Sequence, residues 1–277
     1  MNYPKILTIQ DISCVGQCSL TVALPIISAC GVETCVLPSA VLSTHTAGFK
    51  NFTFRDLSPD MEGIFSHWQS ENIVFDGIYT GYLGSADQIE IIINNKNKLI
   101  KRGGKLIVDP AFADNGKLYP AFDSAYVNDM KKLVAVSDYC VPNLSEACFL
   151  TDIEYKTEYD ENYVKNVVKA IADLGAKAVV LTGVSFESGY TGVYVYENGN
   201  FFYYKHKLLP NSCHGTGDIY ASAFSGALFK GKTAFESAKI SADYTVACIK
   251  ATEGDSTHWY GAKFELCLSK LINAINA

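Results

Sequence analysis

Gly215-Thr-Gly-Asp218 sets three backbone N–H groups and one carboxylate at the start of a helical pattern. The whole stretch runs Asn211-Ser-Cys-His-Gly-Thr-Gly-Asp-Ile-Tyr-Ala221, polar and tight before it turns apolar. Ile219, Ala223, Phe224, Ala227 and Leu228 then share one helical face. The first turn of a helix leaves N–H groups unpaired beside a positive dipole end, which together attract anions. Gly215, Thr216 and Gly217 let the backbone come close to a ligand, and Asp218 stands where a carboxylate can take a proton from a hydroxyl. An anion hole beside a base points to phosphoryl transfer. The same letters also describe a plain glycine turn with Asp218 as dipole partner, because short glycine motifs recur by chance. Cys213 and His214 adjoin the motif without a partner base in sequence, and transfer to a hydroxyl needs no covalent intermediate. They are read as packing or orienting residues.

Strands and helices alternate through the first two thirds of the chain. Strand patterns fall at 5–10, 33–38, 77–80, 105–108, 139–141 and 178–182. Helical patterns fall at 17–30, 60–70, 85–102, 121–136, 144–150 and 160–174. Glu197-Asn-Gly-Asn200 joins two further strands, 190–196 and 200–204, as a hairpin. Helices are predicted at 216–230, 233–251 and 261–275. A polar and aromatic loop starts at Thr44-His-Thr-Ala-Gly-Phe49 and runs to about 59, and another loop rich in Gly, Asp and Asn follows Asp109-Pro110. The alternation predicts an α/β fold in one domain, with a mostly parallel sheet covered on both faces. Ligands of such sheets sit beyond the carboxyl ends of the strands. Asp11, Thr46, Tyr82, Asp109, Asn143, Glu146 and Thr182 all fall at strand ends. Each alone also fits a helix cap or a turn.

At 277 residues the chain buries about three quarters of its unfolded surface, enough for one large core. A net charge of −6, with 19% charged residues and no run of one sign, argues against nucleic acid or membrane as the main partner. Nine cysteines, an odd number without a Cys-x-x-Cys pair, fit reduced thiols in a cytoplasm. The opening residues lack the pattern of a signal peptide, and no apolar run approaches the ~18 residues of a membrane span. The expectation is a soluble, cytoplasmic protein.

Gly226-Ala-Leu-Phe-Lys-Gly-Lys-Thr233 matches the P-loop pattern letter for letter. That motif needs a strand before it, and here a helical period precedes it. Gly231 is instead expected to end one helix, and Thr233 to cap the next in a capping box with Glu236.

Taken together, 6–10, Ser43-Thr-His-Thr46, Gly81-Tyr-Leu-Gly-Ser85, Asp109-Pro110, Pro142-Asn-Leu-Ser-Glu146 and Gly215-Thr-Gly-Asp218 resemble the pyridoxal kinase branch of the ribokinase-like superfamily. The resemblance covers almost the whole chain. It implies a three-layer sandwich that phosphorylates the 5′-hydroxymethyl group of a B6 vitamer with ATP, Mg2+ and often a monovalent ion such as K+, in a homodimer. By position it implies Asp218 as the base and the amides of Gly215, Thr216 and Gly217 as the hole for the transferred phosphate. It places Asp109 and Glu146 at magnesium through water, and Asn143 and Thr182 along the ATP phosphates. Asp114 and Tyr119 fall in a mobile lid. Thr46 bonds the pyridine ring and Tyr82 stacks on it, while His45 either holds the substrate loop or touches the ring.

One position departs from the pattern. Members that use pyridoxal commonly carry Ser after the first strand, and this chain has Asp11. A carboxylate there suits a cationic 4′-amine and shifts the expected preference towards pyridoxamine, or else Asp11 caps the next helix. Hydroxymethylpyrimidine kinase of thiamine synthesis is the nearest alternative. A non-catalytic B6-binding protein is the alternative of another class.

Overall fold

The computed structural model describes residues 3–210 and 213–277, so Asn211 and Ser212 of the glycine stretch lie outside it. In chain order the elements begin with β1 (Lys5–Ser13), α1 (Leu20–Ala29), β2 (Glu33–Leu42), β3 (Phe54–Asp56), α2 (Ser58–Ser70), β4 (Phe75–Thr80), α3 (Ala86–Leu99) and β5 (Ile100–Val108). A two-stranded ribbon of β6 (Ala113–Asp114) and β7 (Lys117–Leu118) precedes α4 (Ser124–Ala135), β8 (Tyr139–Cys140), α5 (Leu144–Thr151) and α6 (Glu161–Leu174). The chain ends with β9 (Ala178–Val184), β10 (Tyr190–Glu197), β11 (Asn200–Lys207), α7 (Thr216–Phe229), α8 (Ala234–Thr252) and α9 (Leu268–Asn276), the last preceded by a 3₁₀ turn at Phe264–Cys267.

Nine strands form one sheet in the order β11-β10-β9-β8-β5-β4-β1-β2-β3. The six from β2 to β9 run parallel, and antiparallel strands close both edges. Alternate residues of each strand feed opposite cores, as a pleated strand requires. Leu7, Ile9, Ile78 and Leu106 pack under α2 to α6, whereas Ile6, Tyr79 and Ile107 pack under α1, α7, α8 and α9. The result is the expected α/β sandwich, a mostly parallel sheet with helices on both faces. Among the described residues no helix is long and apolar enough to cross a membrane. All nine cysteines are free thiols.

Several predicted boundaries move, each for a tertiary reason. Strand β1 continues through Asp11 to Ser13 because it pairs with β2 up to Leu42. Helix α1 therefore starts at Leu20, after Ser19, and Asp11 is not its cap. The predicted helix 85–102 gives way at Ile100 to β5, which pairs with β4 from Phe75. A side chain at Gly104 would stand 2.6 Å from the Asp76 carbonyl oxygen, so glycine lets the chain press against β4 there. β3 and the β6–β7 ribbon lie within stretches expected to be loop. They are two- or three-residue strands fixed by their partners, too short for any period to reveal. Gly231 has φ 95°, and Thr233 and Glu236 form the capping box. The P-loop match is thus a helix–helix junction.

Candidate active site

From β1 the chain first steps outward to β2 and later returns to the other side of β1 as β4. At such a reversal the loops diverge and leave a crevice beyond the carboxyl ends of the strands. A cavity of about 760 Å³ opens there. It is lined by Asp11 of β1, by His45 and Thr46 of the loop after β2, and by Tyr82 after β4. Asp109, Asp114 and Tyr119 reach it from the segment after β5, and Asn143 and Glu146 from the start of α5. Thr182 of β9 and Gly215 to Asp218 at the head of α7 complete the set. Every residue singled out by type and position thus meets at one cavity.

Gly215, with φ 76°, stands at the N-cap of α7, and no side chain caps the helix. The first helical bond runs from the Ile219 N–H to the Gly215 carbonyl, so the amides before it are left for a ligand. A Cβ at Gly215 would lie 1.7 Å from the Gln17 carbonyl oxygen, so the tight approach of two loops fixes glycine here. Gly217 is different, for a Cβ there would meet nothing within 4 Å. Asp218 opens on the cavity yet is walled in by protein. Burial pushes its carboxyl up to about 7; the Ser19 N–H opposes this and the Asp11 charge adds to it.

Asp109 and Glu146 face each other across the crevice floor, both nearly inaccessible. Burial, the Glu146 charge and the Asp218 charge push Asp109 well above the usual carboxylate range, against the N–H of Ala111. Ala111 holds φ 48°, a left-handed conformation costly for a residue with a Cβ. Burial raises Glu146 to about 8, although N–H groups of Asn143, Phe112 and Ala113 favour its charged form. Two of these bonds measure 2.9 Å and 3.1 Å.

Five lining carboxylates, Asp11, Asp109, Asp114, Glu146 and Asp218, share the cavity, and no Lys or Arg lines it among the described residues. A polyanion entering such a site must bring cations with it. Among the described residues no three His, Cys, Asp or Glu side chains converge to hold a bare metal ion. The donor set suits a hydrated ion that takes its other oxygens from a ligand.

The aromatic end of the cavity is held by loop-to-loop contacts. The Ala47 N–H donates to His45 Nδ1 at 3.1 Å, so Nε2 carries the proton and donates to the Tyr260 carbonyl at 2.9 Å. Burial lowers the His45 pKa and keeps the ring neutral. Both ring nitrogens are spent on backbone groups, so the imidazole ties the loop down while it still lines the cavity. Phe49 packs on Trp259 at 4.6 Å between centroids, and Trp259 in turn bars any side chain at Gly48. His214 tilts against His45 at 5.4 Å.

Asn143 is similarly committed. Its Oδ1 accepts from the Glu146 N–H at 3.0 Å and its Nδ2 donates to the Ala113 carbonyl at 2.8 Å. It caps α5 and ties it to the ribbon while lining the cavity. Asp114 bonds to Asn115 at the exposed end of the β6–β7 ribbon. Tyr119, 40% exposed, hangs over the cavity just after it.

Sequence reading missed several parts of the wall, among them Gly183, Thr191, Gly192 and Val193 of β9 and β10. Ser13, Cys18 and Ser19 line the end near Asp11, Ser13 hidden because β1 was expected to stop at residue 10 and the other two because 17–30 looked helical throughout. Ala242, Thr245, Val246 and Ile249 of α8 line the far end. Their i, i+3, i+4, i+7 spacing was visible, and such a stripe more often faces a core.

The phosphomethylpyrimidine kinase family profile matches residues 24–261. Pyridoxal kinase of Dictyostelium discoideum is 27% identical over 241 residues, 80% of this chain and 78% of that protein. A Bacteroides thetaiotaomicron protein provisionally assigned as a phosphomethylpyrimidine kinase, crystallised with pyridoxal, superposes with a TM-score of 0.92 at 34% identity, over 97% of this chain and 96% of that one. Pyridoxal kinase from Lactobacillus plantarum superposes with a TM-score of 0.90 at 28% identity, over 98% and 97%. A profile spanning most of the chain, together with a fold shared with these kinases, makes the chain a member of the phosphomethylpyrimidine kinase family, of ribokinase-like fold.

Proposed function

We propose that the chain transfers the terminal phosphoryl group of ATP to the 5′-hydroxymethyl group of a vitamin B6 vitamer. The observation that carries this reading is the half-buried Asp218 carboxyl beside the uncapped head of α7, inside a cavity with one aromatic end and one long apolar end. The vitamer lies against Tyr82, Thr46 and the loop held by His45, with its hydroxyl towards Asp218. Asp218 takes the hydroxyl proton as the oxygen attacks. The amides of Gly215, Thr216 and Gly217 hold the charge on the transferred phosphoryl group. The nucleotide runs past Thr182 to the apolar stripe of α8. The ribbon with Asp114 and Tyr119 is the segment placed to cover the reacting groups and keep water out.

Magnesium fits the acidic floor. Asp109 and Glu146 would hold it through water, and it would neutralise phosphates for which the lining offers no Lys or Arg among the described residues. No residue is assigned to a monovalent ion. The resemblance makes it a homodimer, and the free cysteines fit a cytoplasm.

Likeness to hydroxymethylpyrimidine/phosphomethylpyrimidine kinases, 24% identical in Aquifex aeolicus and 26% in Mycobacterium bovis, supports a second reading, phosphorylation of hydroxymethylpyrimidine, also a flat heteroaromatic alcohol. Incubating the protein with ATP, magnesium and each alcohol in turn separates the two. Phosphorylation of hydroxymethylpyrimidine without any B6 vitamer overturns the first reading. Tight vitamer binding without ATP consumption indicates a binding protein instead.

A further inference from the structure

Beneath the crevice floor, the apolar layer between the sheet and α7 holds a polar knot. A pleated strand sends alternate side chains to one face, so Thr8 and Gln10 of β1 share the α7 side of the sheet with Ile6, and Tyr79 of β4 joins them there. Thr8 stands directly opposite Tyr79. Gln10 folds back on Thr8, its Nε2 donating to Thr8 Oγ1 at 2.8 Å. Its Oε1 presses on the end of β4, 2.5 Å from where a Cβ at Gly81 would stand. Gln10, Tyr79 and Ser222 of α7 are closed to solvent. Even so, Gln10 Oε1, the Tyr79 hydroxyl and Ser222 Oγ have no hydrogen-bond partner among the described residues. Unpaired polar atoms in a core are costly. These three lie one layer below the reacting groups, and the reaction described above uses none of them.

Helix α7 connects the knot to Asp218. The Phe229 ring fills the space a side chain at Gly77 would need, which lays the end of α7 over the start of β4. Asp218, Ser222 and Phe229 share one stripe of that helix. From Phe229 back to Ser222 the helix rises about 10 Å. From Gly77 the strand reaches Tyr79 after about 7 Å and Gly81 after about 13 Å. Ser222 therefore comes down between Tyr79 and Gly81, beside Gln10. One turn higher on the same stripe, Asp218 opens on the cavity. Burial, followed by the charges of Asp109 and Asp218, raises Tyr79 well above the usual phenol value, so its hydroxyl keeps its proton and can donate it.

We propose that Tyr79 is a positioning residue for phosphoryl transfer, holding with Gln10 and Ser222 a buried water that donates to the inner oxygen of the Asp218 carboxylate. The inference rests on the kinase reading and adds to its machinery. The hydrogen-bond count closes. The water accepts from the Tyr79 and Ser222 hydroxyls and has two protons to give, one to Gln10 Oε1 and one to Asp218. A buried water needs two to four such partners, and the knot supplies them. A carboxylate held by its inner oxygen keeps the outer one aimed at the acceptor hydroxyl, and a base gains rate from that fixed aim.

The test is a double-mutant cycle in the full chain, with Tyr79→Phe made alone and on Asp218→Asn. It is read by kcat and KM with ATP, magnesium and whichever B6 vitamer turns over fastest, alongside melting curves. Tyr79→Phe keeps the ring and should lower kcat by about ten- to a hundredfold, the scale of a hydrogen bond to a charged group. KM for both substrates and the melting temperature should barely move. On Asp218→Asn, at high enzyme concentration, the same change should alter the residual kcat by less than about twofold, because no charged carboxylate remains to be aimed. Unchanged kcat in folded Tyr79→Phe overturns the inference. An equal fold-loss on both backgrounds does so too, since it marks a purely structural role, and so does a loss carried by KM. If Tyr79→Phe fails to fold, Ser222→Ala runs the same cycle under the same criteria. A wild type that phosphorylates no B6 vitamer overturns the kinase reading itself.

Discussion

Asp11 and Asp218 come from opposite ends of the chain and meet on the two sides of Ser19. Ser19 is held at φ 54° and leaves its own helix uncapped while its hydroxyl and N–H serve the two acids. That conformation costs of order 1–3 kcal/mol for a residue with a Cβ. The head of α1 is thus organised for the cavity, and the candidate base is positioned by a residue about two hundred places away in sequence.

Asp218→Asn should lower kcat by about two to four orders of magnitude, the scale of a positioned general base. Binding of the vitamer and the melting temperature should change little. Steady-state kinetics and calorimetric titration check this, and near-normal turnover rules out Asp218 as the base.

Asp218 must be charged to accept a proton, and burial holds its carboxyl at about 7. kcat/KM should therefore climb between about pH 5.5 and about pH 8 with an inflection close to 7 in the free enzyme. A flat profile over that window would contradict the assignment.

Stability should run the other way. Asp218, Glu146 and Asp109 keep protons when folded that the unfolded chain releases near its carboxyl values of about 4. Their folded pKa values are raised, so their contribution is complete below about pH 4 and is lost as pH rises towards about 8. The ligand-free protein should melt at a lower temperature at about pH 8 than at about pH 6. Magnesium with nucleotide should restore more at the higher pH. A melting temperature that rises over this interval would contradict the raised values.

Two glycines of one motif should behave differently. Gly215→Ala meets the Gln17 carbonyl at φ 76° and should destabilise the fold or displace the loop. Gly217→Ala has room and lies in a helix, where alanine gains up to about 1 kcal/mol. It should leave melting unchanged or higher while lowering phosphoryl transfer, because its methyl group stands where the ligand must come close. Equal melting losses in both variants would defeat the distinction.

Lys232→Ala should leave the KM for ATP and kcat unchanged, since the P-loop match lies at a junction between α7 and α8. Thr233→Ala should cost about 1 kcal/mol of stability by breaking the capping box, again without loss of activity. A large loss of nucleotide affinity in Lys232→Ala would restore the P-loop reading.

The order of strands and helices was legible because apolar spacing of two or 3.6 residues is a local property, repeated along every element. The same holds for the hairpin at Asn198-Gly199 and for Thr233 as a cap, whose partners lie within a few residues. The strand-end residues could be picked out one by one because chain reversals put polar side chains there. What tertiary contacts decided lies where partners are distant. Asp11 became a cavity residue instead of a cap only because β2 extended β1 past it, and residues 100–104 became strand because β4 lay alongside. His45 became a strut through a carbonyl 215 positions away. No period in the chain encodes such pairings, since they exist only once the sheet has closed and brought the separate strand ends to one crevice.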